Sequence, residues 1–252
     1  MTNIGGELSV VCEAAATVIL PLWRTGVAVT RKTDDSPVTE ADRRGEALIL
    51  AELAKRWPDT PVIAEEFASE FGTPQAIARR FFLVDPIDGT KAFVRGDPHF
   101  TVNIALIEDG RPAAGAVASP ATGEVWFTAA GGAFKRRPGH GAERIGVRPW
   151  PQGDALALVS HTMNDATARE LGAAYGFARH ARLDSSIKFC RIAEGAADIY
   201  PRHGATMEWD VAAGHAVLEA AGGRVTQPDG EPFLYGKAAQ RFLNGWFVAR
   251  GG

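Results

Sequence analysis

Cysteine is scarce in this 252-residue chain. The two present, Cys12 and Cys190, lie far apart. That excludes a disulfide framework and a cysteine-based zinc pattern, and it fits a reducing, cytoplasmic setting. Surplus positive charge is also absent. Lys and Arg number 27 against 30 Asp and Glu, a net charge of −3. Nothing general therefore points to a nucleic-acid polymer or to stable membrane insertion, although a local basic pocket for a phosphate is compatible with this balance. Long apolar runs are missing too. The stretch from Val10 to Leu22 is interrupted by Cys12-Glu13 and Pro21, reads as too short to span a bilayer, and fits a packed helix better. No basic stretch leads into an apolar signal core, and there is no internal repeat or low-complexity segment. Peripheral association with an inner membrane is left open.

What is present is an ordinary globular composition, 46% hydrophobic and 23% charged, enough for one large domain or two small ones. An amphipathic helix is expected over 6–24, then a polar loop over 30–37 and a second helix over 39–57. A short strand, 60–64, arrives at Glu65-Glu66, and 68–79 reads as a mixed connection. A buried strand over 80–85 leads into an acidic turn. An antiparallel meander follows over 100–107, 112–119, 124–128, 132–137 and 144–147. The Pro- and Gly-containing segment 148–153 reads as a boundary. Beyond it strands and helices alternate: strands 155–160, 178–183, 197–200 and 224–226, helices 164–176, 186–194 and 211–221. The expected division is an α+β part, 1–150, with most of the candidate ligands, and an α/β part, 151–252.

The chemistry concentrates in Asp85-Pro86-Ile87-Asp88-Gly89-Thr90, directly after the apolar run Phe81-Phe82-Leu83-Val84. Pro86 fixes φ and Gly89 lets the backbone approach a ligand closely. Two carboxylates this close repel each other, and burying them is costly unless a cation binds. Other acids could join them: Asp42 in Val38-Thr39-Glu40-Ala41-Asp42, Glu65 and Glu66 at a strand end, and Asp210 after Trp209. Alone, each has a plainer reading. Thr39 with Asp42 resembles a capping box, Glu65-Glu66 a solvated strand end, and Asp210 a helix N-cap. Together they suit Mg²⁺ held by carboxylates and substrate phosphate oxygens, and hence metal-assisted phosphoryl transfer to water. The aspartate-nucleophile phosphatases of the haloacid-dehalogenase type place their two aspartates two residues apart. Here the spacing is three and Pro86 intervenes, which argues against an aspartyl-phosphate route.

Glu65-Glu66, then Asp85 to Thr90 about twenty residues later, then Trp209-Asp210, resemble the lithium-sensitive, Mg²⁺-dependent phosphatases of the inositol monophosphatase and fructose-1,6-bisphosphatase superfamily. Within it, Phe100 to Ile107, Ser185 to Cys190, Ala193-Glu194-Gly195, Tyr200-Pro201-Arg202 and the segment following Asp210 resemble the bacterial 3′(2′),5′-bisphosphate nucleotidases. The resemblance implies a layered α-β-α-β-α sugar-phosphatase fold, α/β in class with an α+β N-terminal part. It implies two Mg²⁺ ions, with a third, weaker one near Glu65. Glu65, Asp85 and the Ile87 carbonyl would hold one ion, and Asp85, Asp88 and Asp210 the other. Glu65 would also serve the catalysis, and the Thr90 hydroxyl, paired with Asp42, would orient the attacking water. Gly89, Thr90, Asp184, Ser185, Lys188, Arg202 and Asp210 would contact a small nucleotide bisphosphate, with His161 near its base or ribose. The implied activity is hydrolysis of adenosine 3′,5′-bisphosphate to AMP in sulfur metabolism, by a monomer or homodimer. The alternatives are a phosphatase acting on inositol or sugar phosphates, and a silent metal- or nucleotide-binding module.

Overall fold

The structure, a computed structural model, describes residues 3–31 and 37–252. Helix α1 (Ile4–Thr25) starts where the Asn3 side chain accepts the Gly6 N–H at 3.1 Å. Its residues Leu8, Val11, Cys12, Ala15 and Ile19 recur at helical spacing and form one buried face. Helix α2 (Glu40–Arg56) lies against α1 and buries Ala41, Ile49 and Leu53. Among the described residues α1 is the one helix long and apolar enough to cross a membrane. It is longer than the sequence suggested, but its apolar face is taken up by the protein's own sheet.

That sheet has the order β3-β4-β5-β6-β7-β8-β9: β3 (Val62–Ala64), β4 (Arg80–Asp88), β5 (Thr101–Glu108), β6 (Arg111–Ser119), β7 (Glu124–Ala129), β8 (Gly132–Arg136) and β9 (Glu143–Ile145). The β3–β4 pair is parallel and the rest antiparallel. In β4 successive side chains point to opposite faces. Phe82 and Val84 join the α1–α2 core, whereas Phe81 and Leu83 join a second core on the other side. Burying each phenylalanine contributes about 1.5–3 kcal/mol relative to exposure.

The second core is filled by α6 (Ile187–Ala193) and α7 (Glu208–Ala220). Gly115 in β6 lets α7 pack this close: a Cβ there would lie 2.8 Å from the Ala216 Cβ and 2.9 Å from the Ala213 carbonyl oxygen. Beneath these helices lies a five-stranded sheet ordered β11-β10-β12-β16-β14, made of β11 (Arg179–Arg182), β10 (Leu156–Val159), β12 (Ile199–Arg202), β16 (Phe247–Arg250) and β14 (Arg224–Thr226). Helix α5 (Asp165–Tyr175) closes its outer face through a third core that includes Leu171, Phe177, Val159, Ile199 and Val248. The layers are therefore α-β-α-β-α, as expected.

Several boundaries differ. Residues 32–36 of the expected polar loop lie outside the described residues, while Thr30 and Arg31 in β1 (Val29–Arg31) pair with β2 (Pro37–Thr39). Glu65 and Glu66 are not a strand end; they open α3 (Glu65–Phe71), which replaces the start of the expected irregular connection. The reason lies in α2: the Glu46 carboxylate accepts the N–H groups of Glu66 at 2.7 Å and Phe67 at 2.8 Å. Strand β4 runs through the acidic motif to Asp88 instead of turning at Asp85, with a register irregularity between the two aspartates. Helix α7 begins at Glu208, three residues before the expected start, so Asp210 sits in its first turn instead of at its N-cap. The closing strands β15 (Leu243–Asn244) and β16 had no counterpart in the sequence reading.

Candidate active site

Between the two sheets opens a cleft of about 310 Å³, lined by Glu65, Asp85, Ile87, Asp88, Gly89, Thr90, Asp184, Ser185, Lys188, Arg202 and Asp210, among others. Four elements converge there. Strand β4 delivers Asp85 to Asp88, α3 opens on Glu65, α6 follows Asp184-Ser185, and α7 carries Asp210 in its first turn. Gly89 adopts φ of +92° and caps α4 (Thr90–Val94). A side chain there would be strained, and its Cβ would come within 3.2 Å of the His99 carbonyl oxygen.

Backbone N–H groups hold three of the carboxylates. Asp85 accepts the Ile87 N–H at 2.9 Å, and Asp210 accepts the Met207 N–H at 2.8 Å. Asp88 Oδ2 accepts the Ser186 N–H at 2.6 Å and lies 3.3 Å from Asn103 Nδ2. Burial first, then the charges of Glu65, Asp88 and Asp210, push Asp85 well above the ordinary carboxylate range. Asp210 is likewise pushed well up by burial and by Asp88 and Glu65. Asp88 rises through burial, opposed by Lys188, Ser186 and Asn103. Asp85 and Asp210 resist ionisation through burial and neighbouring carboxylates together, whereas for Asp88 burial is the cause.

Among the described residues no three His, Cys, Asp or Glu side chains already form a metal cage. The arrangement is an open one. Buried, mutually repelling oxygens suit a hard divalent cation that needs only one or two carboxylates and takes its remaining oxygens from water and a phosphate. Cation binding would relieve the repulsion that raises Asp85 and Asp210. The donor chemistry thus fits Mg²⁺.

Two of the anticipated partnerships take another form. The Thr90 hydroxyl donates to the Ile87 carbonyl at 3.1 Å, not to Asp42. Asp42 is buried and is not among the cleft-lining residues; its Oδ2 accepts from the Thr39 N–H at 2.7 Å and the Thr39 hydroxyl at 2.6 Å, completing the capping box of α2. His161 is exposed and does not line the cleft, but its neighbours Ser160 and Thr162 do, 3.1 Å apart through their hydroxyls.

On the basic wall Lys188 is only 4% exposed, so it is not a surface charge. Its ammonium donates to the carbonyls of Leu183 at 3.1 Å and Ser185 at 2.6 Å and lies over the Tyr200 ring. Burial brings its pKa down to about 8 despite the pull of Asp88. Lys188 thus anchors the 183–185 loop, in which Ser185 has φ of +58°. Asp184 accepts from Arg95 at 2.7 Å. Arg202 donates one Nη2 bond, to the Ala205 carbonyl at 3.1 Å, while its buried Nε has no hydrogen-bond partner. The sequence reading missed Tyr200 as a cleft residue although it named the Tyr200-Pro201-Arg202 segment. Strand alternation from Arg202 would have put both side chains on one face. Ser186 and Asn103, which contact Asp88, were also missed.

The inositol monophosphatase family profile matches residues 7–245. The 3′(2′),5′-bisphosphate nucleotidase CysQ of Salmonella typhimurium is 41% identical over 221 residues, covering 86% of each chain. The histidinol-phosphatase of Mycobacterium tuberculosis is 35% identical over 217 residues, covering 84% of this chain and 82% of that relative. Among solved structures, CysQ from Bacteroides thetaiotaomicron, a bacterial member of the inositol monophosphatase family, superposes with a TM-score of 0.76 at 31% identity. That match covers 96% of this chain and 94% of the other.

Proposed function

Because the chain belongs to the inositol monophosphatase family, we propose that it is a metal-dependent phosphatase hydrolysing adenosine 3′,5′-bisphosphate to AMP and phosphate, a step that clears a nucleotide by-product of sulfur metabolism in the cytoplasm. The observation that carries this reading is one cleft holding Glu65, Asp85, Asp88 and Asp210 together with Arg202 and the Lys188-anchored loop. The 41% identity to a 3′(2′),5′-bisphosphate nucleotidase supports the substrate.

Glu65, Asp85, the Ile87 carbonyl, Asp88 and Asp210 are the residues that would hold two Mg²⁺ ions, with a third near Glu65. When bound, these ions supply Lewis-acid polarisation of the phosphoryl group and an acidified water. The chain's own groups do the positioning. Thr90 presents a hydroxyl to the cleft, already fixed by Ile87, to orient the attacking water. Asp42 acts at one remove, holding Thr39 and with it the Pro37 wall of the cleft. Arg202 brings a planar guanidinium with an unpaired buried Nε, suited to two-pronged contact with the phosphate that is not cleaved. Asp184, Ser185 and Gly89 supply acceptors and close backbone approach for the nucleoside, while Lys188 keeps the Ser185 loop in its strained conformation. These roles divide between residues 1–150, with most cation ligands, and 151–252, with most substrate contacts.

Phosphate release from adenosine 3′,5′-bisphosphate, inositol 1-phosphate, fructose 1,6-bisphosphate and histidinol phosphate tests the assignment. The nucleotide is expected to give the highest kcat/KM. Faster turnover of another ester would reassign the substrate, and nucleotide binding without release would favour a silent module.

A further inference from the structure

Ser186 joins three elements of the site. It occupies the N-cap of α6 and is 1% exposed. Its N–H donates to Asp88 Oδ2 at 2.6 Å, and its hydroxyl donates to the main-chain carbonyl of Asp210 at 2.6 Å. A hydroxyl has one proton to give, so the same oxygen must act as acceptor toward Asn103 Nδ2 at 3.1 Å. Asn103, also 1% exposed, sits on β5 directly opposite Asp85, and its Nδ2 reaches Asp88 Oδ2 as well. The amide is oriented by this: turned over, its oxygen would face the Asp88 carboxylate. The Asn103 Oδ1 is left buried with no hydrogen-bond partner. A buried amide oxygen without a partner costs stability, so its donor end is being held where it is for another purpose.

Asp88 and Asp210 repel each other, and burial makes the repulsion stronger. Without a tether, strand β4 and helix α7 would relax apart at this point. Both bonds to Asp88 fall on one oxygen, and the bond to Asp210 falls on its backbone. The tether thus fixes the two residues while leaving Asp88 Oδ1 and the Asp210 carboxylate out of its grip.

We propose that Ser186, oriented by Asn103, is a positioning residue that sets the separation of Asp88 and Asp210 and so prepares the cation-binding half of the cleft before any ligand arrives. The proposal rests on the reading of these two aspartates as cation ligands. The test uses Mn²⁺ binding to the substrate-free full chain, followed by titration calorimetry, together with the Mg²⁺ dependence of turnover. Ser186→Ala is expected to weaken Mn²⁺ binding about tenfold or more and to shift half-saturating Mg²⁺ upward in proportion, as loss of a group that orients metal ligands does. Turnover at saturating Mg²⁺ should recover most of its value, and Ser186→Thr, which keeps the hydroxyl, should restore affinity. Asn103→Ala removes the amide that orients the Ser186 hydroxyl and reaches Asp88 from the β5 side, and it should act in the same direction, which keeps the idea testable if Ser186→Ala folds poorly. Unchanged Mn²⁺ affinity in a folded Ser186→Ala or Asn103→Ala protein would overturn the proposal. If instead the wild-type chain binds no Mn²⁺, or Asp88→Asn and Asp210→Asn bind it normally, the underlying reading of the aspartates fails.

Discussion

Asp85 is 1% exposed and faces Glu65, Asp88 and Asp210, so burial and neighbouring charge both disfavour its carboxylate in the cation-free cleft. Replacing it with a neutral isostere should therefore separate stability from function. Asp85→Asn is expected to melt higher than wild type in the presence of a chelator, by about 2–4 °C for each kcal/mol of repulsion relieved, while losing turnover by about a hundredfold or more. Calorimetric melting beside a phosphate-release assay checks both. An unchanged or lower melting temperature would mean that the Ile87 N–H bond matters more than the charge. Strain is stored nearby at Ser185, a non-glycine residue at positive φ that lines the cleft, while Gly89 meets its own positive φ without cost. Ser185 is a place where function overrides local preference.

Helix α6 depends on a buried ionic cluster at its far end. Lys135 on β8 bonds Glu124 at 2.5 Å and Glu194 at 2.7 Å, and Glu194 also accepts from Trp126 at 3.0 Å and from Arg191. The cluster ties the helix that carries Lys188 to strands β7 and β8 of the first sheet. Burial alone would raise the Glu194 pKa, but the bonds from Lys135, Trp126 and Arg191 outweigh it and hold the value below the ordinary 4.5. A carboxylate depressed in the folded state contributes stability above its unfolded pKa and loses it as pH falls through the folded value. Glu194→Gln is therefore expected to cost about 1–3 kcal/mol at pH 7 and to flatten the loss of stability below about pH 4.5. Urea unfolding at pH 7 and pH 4 measures both. A mutant whose deficit is the same at the two pH values would contradict the linkage. Gly115 belongs to the same scale: it sets how closely α7 approaches β6, and α7 positions Asp210.

For the whole molecule, the cleft is assembled from segments more than a hundred residues apart, so a cation bound there would link strand β4 of the first sheet to helices α3 and α7. Binding to the native state alone should stabilise by about 2.7 kcal/mol at a concentration one hundred times Kd. Millimolar Mg²⁺ is thus expected to raise the melting temperature by several degrees, and a chelator to reverse the rise. In Asp210→Asn the shift should largely vanish. A wild-type melting curve that ignores Mg²⁺ would count against a cation in this cleft.

The family, the layered fold and the phosphatase chemistry were legible in the sequence because each leaves a local trace. Strand β4 announces itself through four consecutive apolar residues. Helix α2 does so through Thr39 and Asp42, which together form its capping box. The acidic motif does so through a three-residue spacing set around Pro86. What the local pattern does not contain is any group whose partner is distant in the chain. Glu46 caps α3 from α2, Asn103 reaches Ser186 across 83 residues, and Lys188 is buried over Tyr200 instead of standing free in water. Thr90 bonds Ile87 and leaves Asp42 to its helix cap for the same reason: which acceptor a hydroxyl finds is a matter of geometry within ångströms. The residues alone determined which carboxylates this protein has to offer. Only the tertiary structure decided that they meet, how strongly they repel, and that Ser186 holds two of them together, because burial and proximity, not residue type, set those energies.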